Sequence, residues 1–183
     1  NSIDAGASRV EIIVKDDIVI VRDNGYGIDL EAFRTIGTDF KARLKKKGEN
    51  IIGEFGIGRL SVFNLADVVT WRSRNMKITW DISKPLKLNI ERDCYSKGTE
   101  VILRLKPDVE IDVNKLREYV EETIYAPIDI IVNDVKIRNK LRGLTCIQGK
   151  LCKIYINKEM WNEGATLVKG VMKVGTDSDL AGI

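Results

Sequence analysis

The chain has 183 residues and a mass of 20.6 kDa; with 44% hydrophobic and 31% charged residues it fits one large or two small folded domains, not a disordered or collagen-like chain. Thirty Lys and Arg against 27 Asp and Glu leave +3, too little for a dedicated binder of the nucleic-acid phosphate backbone. Histidine is absent, which excludes Ser-His-Asp and Cys-His catalysis, histidine metal sites and a phospho-accepting histidine within this chain.

Cys94, Cys146 and Cys152 form no CxxC pair, so neither a disulfide framework nor a four-ligand zinc site can be completed from them. A reduced, cytoplasmic protein is expected. Apolar runs such as Ile128 to Val132 are too short to span a bilayer, so no membrane partner is expected. The start at Asn1 shows neither Met nor a basic-then-apolar leader, and the expectation is a fragment or a missing leader.

In chain order, Arg9 to Val14 and Ile18 to Val21 read as a β-hairpin around Lys15-Asp16-Asp17. The second strand runs into Asp23-Asn24-Gly25-Tyr26-Gly27-Ile28-Asp29. Asp29 is a helix N-cap, and Leu30, Phe33 and Ile36 form the stripe of a short helix that stops at Gly37. Periodicity fails from Thr38 to Gly53, where five of the seven residues from Lys41 to Lys47 are basic, and this segment reads as mobile. Gly53-Glu54-Phe55-Gly56-Ile57-Gly58 opens a helix from Arg59 to Ala66 that is apolar enough all round to be buried.

Strands follow at Val68 to Ser73, Lys77 to Ile82, Leu86 to Ile90 and Glu100 to Leu105, spaced as in an antiparallel meander. Asp112 caps a helix whose Val113, Leu116, Val120 and Ile124 share one face. Ile128 to Val132, an Asn133-Asp134 turn and Val135 to Ile137 make a last hairpin. The pattern predicts an α+β two-layer sandwich, with helices on one face of a mixed, mostly antiparallel sheet. After Arg142 the character changes: Thr145 to Ile156 and Thr166 to Val174 are β-rich. Residues 1–142 are expected to form one domain, and 143–183 a β-rich extension or the start of a second.

The glycine motifs exclude two common nucleotide folds. Leu30 and Ser61 stand where a dinucleotide fingerprint requires its third glycine, and Arg59-Leu60 replaces the Lys-Ser/Thr of a P-loop. What remains is an ordered series: Asn1-Ser2-Ile3-Asp4-Ala5-Gly6-Ala7, Asp23-x-Gly25-x-Gly27, Gly37-Thr38, Gly53-x-x-Gly56-x-Gly58 and Gly98-Thr99. The elements themselves suit a nucleotide. A carboxylate at a strand end accepts a hydrogen bond from an exocyclic amine, where guanine would offer an oxygen. Glycines ahead of a helix leave backbone N–H groups and a positive dipole end for a polyphosphate.

This order and spacing resemble the GHKL ATPase superfamily of gyrase B, the ninety-kilodalton heat-shock chaperone, histidine kinases and MutL. The likeness covers roughly residues 1–140. Asn1 to Ala7 is most similar to MutL, whereas Ile36 to Thr38, Gly53 to Gly58 and Gly98 to Lys106 are most similar to the chaperone. The resemblance implies the Bergerat ATP-binding fold, ATP and Mg2+ as ligands, and slow ATP hydrolysis driving lid closure and a conformational or dimerisation switch. It makes Asp23 the reader of the adenine amine, with Asp4 and Thr99 beside it, and Gly25, Gly27 and Ile28 against the base. Gly53, Glu54, Phe55, Gly56, Ile57 and Gly58 would hold the triphosphate. Gly37, Thr38 and Lys41, or another cation of the Thr38 to Ile52 segment, belong to the lid, while Lys45, Lys46 and Lys47 read as a solvated run.

Asn1 would coordinate magnesium. The glutamate that activates water in hydrolysing members would stand four positions ahead of Asn1, before residue 1, so no catalytic residue is assigned. An ATP sensor without turnover and a histidine-kinase catalytic domain are the alternatives. The full-length protein is expected to form an ATP-dependent homodimer acting on a protein or nucleic-acid client that the sequence does not name. Trp71, Trp80 and Trp161 read as core or rim residues.

Overall fold

A computed structural model describes residues 1–34, 61–84, 88–142, 144–148, 153–156, 166–169 and 172–176. The Val- and Ile-rich runs form β1 (Arg9–Lys15) and β2 (Ile18–Asp23), antiparallel from Lys15↔Ile18 to Val10↔Asp23. A short helix α1 (Leu30–Arg34) follows, its Phe33 N–H donating to the Asp29 carbonyl at 2.9 Å, as the first bond after an N-cap should. Ile36 and Gly37 lie outside the described residues, as do the whole Thr38 to Ile52 segment and Trp161.

A 3-10 turn (Ser61–Asn64) leads into β3 (Ala66–Asp81), which pairs with β4 (Leu88–Leu105). Helix α2 (Val113–Thr123) is capped by the Asp112 carboxylate, which accepts from Asn114 N–H at 2.9 Å and Lys115 N–H at 3.1 Å. It ends before β5 (Asp129–Val132), which turns through Asn133 and Asp134 at φ 43° and 62° into β6 (Val135–Lys136). Positive φ at both positions is what a tight two-residue hairpin demands.

The strands make one sheet in the order β3-β4-β2-β1-β5-β6. Only β1 and β5 run parallel; every other pair is antiparallel. The sheet is therefore mixed and mostly antiparallel, as the pattern predicts. Val19, Val69, Trp71, Leu103 and Leu105 are buried on one face with Phe33, and Val120 of α2 buries against Val132 and Ile137 farther along it. Trp71 meets Phe33 edge-on at 5.2 Å between ring centroids, and Phe63 bridges it to Trp80, so both tryptophans serve the core.

Two sequence expectations are corrected. The helix expected from Arg59 to Ala66 is, over its described part, a 3-10 turn without a buried residue, and Leu65 is 44% exposed. Ala66, fully buried opposite Leu105, already belongs to the sheet, and the Lys106 N–H fixes the Leu65 carbonyl at 3.0 Å. Strand pairing has taken the residue that helical periodicity claimed.

The strands at Val68 to Ser73 and Lys77 to Ile82 are antiparallel, as the meander spacing predicts, but they are not separate: both are arms of the continuous β3, which doubles back on itself. Its Thr70 and Thr79 hydroxyls are 3.1 Å apart, and Ile82 N–H donates to the Asp67 carbonyl at 2.8 Å. In a straight strand Thr70 and Thr79 would be separated by about 30 Å, and Asp67 and Ile82 by about 50 Å. The reversal falls at Arg74, held at φ 52°, where the pairing with β4 also slips register.

The segments after Arg142 supply two small antiparallel sheets, β7 (Thr145–Gln148) with β8 (Lys153–Ile156) and β9 (Thr166–Lys169) with β10 (Met172–Thr176). Neither is hydrogen-bonded into the six-stranded sheet. Among the described residues no helix is long and apolar enough to cross a membrane.

The α2 cap gives a direct test of this local reading. Asp112→Ala is expected to lower stability by about 1 kcal/mol in urea unfolding with the denaturant slope unchanged, because two N–H groups lose their acceptor.

Candidate nucleotide site

Side-chain alternation sets Val19, Val21 and Asp23 of β2 in one row. Val101, Leu103 and Leu105 of β4 follow Thr99, and Val69 and Trp71 of β3 precede Ser73. The pairings Val19↔Leu103, Val21↔Val101, Val69↔Leu103, Trp71↔Val101 and Ser73↔Thr99 put all three rows on the helix-bearing face. Each apolar row ends in a polar residue, and the three ends meet: Asp23, Thr99 and Ser73.

Asp23 is held by donors from its own loop and from two segments distant in sequence. Its Oδ1 accepts Gly25 N–H at 2.9 Å and Thr99 N–H at 3.2 Å, and its Oδ2 accepts the Ser2 hydroxyl at 2.9 Å. A carboxylate offers about four acceptor positions. One, on Oδ2, is left for an incoming N–H.

Ser2 reaches Asp23 because residues 1–7 form a helical turn with a Schellman ending. Ala5 N–H bonds to the Asn1 carbonyl at 2.9 Å, Gly6 N–H to Ile3 at 2.9 Å and Ala7 N–H to Ser2 at 3.0 Å, with Gly6 left-handed at φ 66°. Tyr26 fastens the glycine loop to that turn, donating its N–H to the Ala5 carbonyl at 2.9 Å and its hydroxyl to the Asp4 carbonyl at 3.0 Å. Asn24 ties the other end, its carboxamide oxygen accepting Ser8 and Arg9 N–H groups at 2.9 and 3.0 Å.

The glycines are required by the protein's own packing. A Cβ on Gly25 would lie 2.6 Å from the Ala5 carbonyl oxygen, and one on Gly27, at φ 78°, would lie 2.6 Å from Ser73 Oγ. Gly98, at φ 75°, is tighter still, since its Cβ would meet the Asp23 carbonyl oxygen at 1.9 Å. Ile28 is half-buried against the main core, and its N–H donates to Ser73 Oγ at 2.8 Å.

Of the residues expected to bind nucleotide, Asp4, Asp23, Gly25, Gly27, Ile28 and Thr99 thus gather around one strand end. Asn1 is exposed at the start of the adjoining turn. Gly37, Thr38, Lys41, Gly53, Glu54, Phe55, Gly56, Ile57 and Gly58 lie outside the described residues. Ser2 and Ser73 were not among the expected site residues. Ser73 left one trace in the sequence, a polar residue closing an alternating apolar row; Ser2 left only its place one residue after Asn1.

No group of three or more Cys, Asp or Glu side chains among the described residues is placed to hold a metal ion. A cavity of about 300 Å3 lies elsewhere, lined by Ser8, Pro127, Asp129, Asn139, Arg142 and Tyr155. There the ammonium of Lys136, on Asp129 at 2.6 Å, holds that carboxyl below its usual range, aided by Arg142 and Arg9. Burial, with Cys146 alongside, pushes the Tyr155 phenol up.

With this geometry in view, residues 1–123 match the family model of the histidine kinase-, DNA gyrase B- and HSP90-like ATPases. The chain belongs to that family. Among curated proteins it is 30% identical to the chaperone protein HtpG of Rhodopseudomonas palustris strain HaA2, over 72% of this chain and 25% of the relative. HtpG of Rickettsia typhi is 34% identical over 56% of this chain and 20% of its own length. HtpG of Legionella pneumophila strain Lens is 32% identical over 54% and 19%. The chain spans about a quarter or less of the length of these relatives. Within the family it is HSP90-like, and an ATP-binding domain of the ATPase type is what membership entails.

The contact between Gly98 and the Asp23 backbone can be tested by substitution. Gly98→Ala is expected to cost more than about 2 kcal/mol in urea unfolding, combining a left-handed L-residue with a backbone clash. Gly6→Ala, whose Cβ meets only Tyr26 Cδ1 at 4.0 Å, should cost about 1 kcal/mol, the left-handed penalty alone.

Proposed function

We propose that this chain is the Mg-ATP-binding domain of an HSP90-like switch, in which ATP hydrolysis is coupled to closure of a lid and to a conformational change or dimerisation of the full-length protein. The observation that carries the proposal is the Asp23 carboxylate: half-buried at a strand end, bonded by three donors, with one acceptor position left on Oδ2. That position suits the exocyclic amine of adenine. A guanine would turn a carbonyl oxygen toward a carboxylate oxygen, with no proton between them.

Around Asp23 the roles follow from position. Thr99 and Asp4 flank the base, and Gly25, Gly27 and Ile28 supply its backbone and apolar wall. Gly53, Glu54, Phe55, Gly56, Ile57 and Gly58 would take the triphosphate, three glycines allowing close approach of a phosphate to backbone N–H groups. Gly37, Thr38 and Lys41 belong to the lid.

Asn1 offers one amide oxygen, and the donor set suits magnesium, which keeps waters and substrate phosphates as most of its ligands and needs no protein cage. Bound there, the ion would neutralise phosphate charge. The bonding of residues 1–5 is helical, so a glutamate four positions ahead of Asn1 would share its face and reach the same phosphates. Residues 1–142 form the nucleotide domain in this reading, and 143–183 begin a β-rich second unit. A cytoplasmic setting agrees with the cysteine usage.

Titration calorimetry with ATP, ADP and GTP in magnesium tests the pocket. ATP and ADP should bind well above GTP, and Asp23→Asn should cut ATP affinity about tenfold or more, the loss of a charge-assisted hydrogen bond of about 1.5–3 kcal/mol. Equal binding of GTP, or no effect of Asp23→Asn, would overturn the proposal. Phosphate release by the intact protein separates a hydrolysing switch from a sensor that binds ATP without turnover.

A further inference from the structure

Ser73 is fully buried on β3, outside every nucleotide motif in the sequence. Its Oγ lies 2.7 Å from the Gly98 carbonyl oxygen, 2.8 Å from the Ile28 N–H nitrogen and 3.2 Å from Thr99 Oγ1. A serine hydroxyl has one proton and two acceptor lone pairs. The Gly98 carbonyl can only accept, so the proton goes there. One lone pair takes the Ile28 N–H, and the other takes the Thr99 O–H.

The proton count therefore assigns the direction of the Thr99 bond. With its own proton committed to Ser73, Thr99 Oγ1 keeps acceptor capacity only. Its neighbour Asp23, joined to it through the Thr99 N–H at 3.2 Å, is likewise acceptor-only when ionised.

We propose that Ser73 is a positioning residue of the nucleotide site: by fixing Thr99 as an acceptor, it leaves the floor beside Asp23 without a donor and selects a purine bearing an amine over one bearing a carbonyl at the same position. The inference rests on the reading of the Asp23 pocket as the base site. Without the Ser73 hydroxyl the Thr99 rotor is free to turn its proton toward a carbonyl. Discrimination then falls to Asp23 alone.

ATP and ITP, which carry an amine and a carbonyl at the purine 6-position, are titrated into the intact protein. The variants are Ser73→Ala, Thr99→Val, the double variant, and Val132→Ala, which opens a void in the other core cluster. Ser73→Ala should reduce the ATP-over-ITP preference about three- to tenfold, the worth of one hydrogen bond, and should add nothing once Thr99→Val is present. Val132→Ala should keep the wild-type preference. Three results overturn the inference: an unchanged preference in Ser73→Ala, an equal effect of Ser73→Ala with and without the Thr99 hydroxyl, or an equal shift in Val132→Ala. Should Ser73→Ala not fold, Ser73→Cys, similar in size and weaker in hydrogen bonding, carries the same comparisons. A wild type with no preference for ATP removes the base-site reading and the inference with it; a wild type that prefers ATP beside an unchanged Ser73→Ala removes the inference alone.

Discussion

Everything at the candidate site depends on one half-buried carboxylate that three chain segments satisfy together. Asp23 takes its donors from the helical turn at Ser2, from its own loop at Gly25 and from β4 at Thr99. A charge at such a depth is costly unless it is hydrogen-bonded. The converse is a constraint on the fold: if any of the three segments moves, a donor is lost and the charge is stranded. The close approaches at Gly25, Gly27 and Gly98 are the steric side of that constraint, since each admits no Cβ without displacing backbone or Ser73.

How far the sequence revealed this depended on whether a feature had a local cause. The Asn133-Asp134 turn, the Asp112 cap and the one-sided apolar spacing of α2 are set within a few residues, and the structure has them where the pattern places them. The Asp23 loop was legible as a strand-to-loop-to-helix junction, because Gly25 and Gly27 follow the strand end and Asp29 precedes the helix. The reversal in β3 was legible only as the gap between two meander strands, and its left-handed residue was not, because it is Arg74, where a glycine or asparagine would have signalled it. What holds Arg74 there is tertiary: its guanidinium donates to the Tyr26 carbonyl at 3.1 Å and pairs with Asp29 at 3.5 Å. Such strain survives only where the surroundings impose it. The same limit explains the 3-10 turn, since Ala66 joins the sheet through Leu105, a residue 39 positions later (105 − 66).

The glycines show how the protein's own packing can require the same residues that a ligand would. Sequence reasoning gave Gly25 and Gly27 to a ligand that needs close approach. In the structure, the space a Cβ would take at each is filled by Ala5, or by Ser73 and Gly98. A loop clamped this way presents fixed backbone to whatever binds above it, and preorganisation of that kind lowers the cost of binding. The two readings are therefore compatible, with packing as the cause and ligand approach as its consequence.

The sheet's two faces explain why the site lies where it does. Away from the helices, Glu11 pairs with Arg9 and Arg22, and Glu100 pairs with Arg72. Pairs this exposed add little stability, about 0–1 kcal/mol each. They place charge on the face where Ile13, Ile20 and Ile102 are half-buried, opposite the main core. On the helix-bearing face the rows Val19-Val21, Val69-Trp71 and Val101-Leu103-Leu105 are buried or partly buried, and they stop at Asp23, Ser73 and Thr99. A flat, partly apolar base with a polar edge needs both environments within a few ångströms. Among the described strands, that boundary falls where the apolar rows of β2, β3 and β4 run out together.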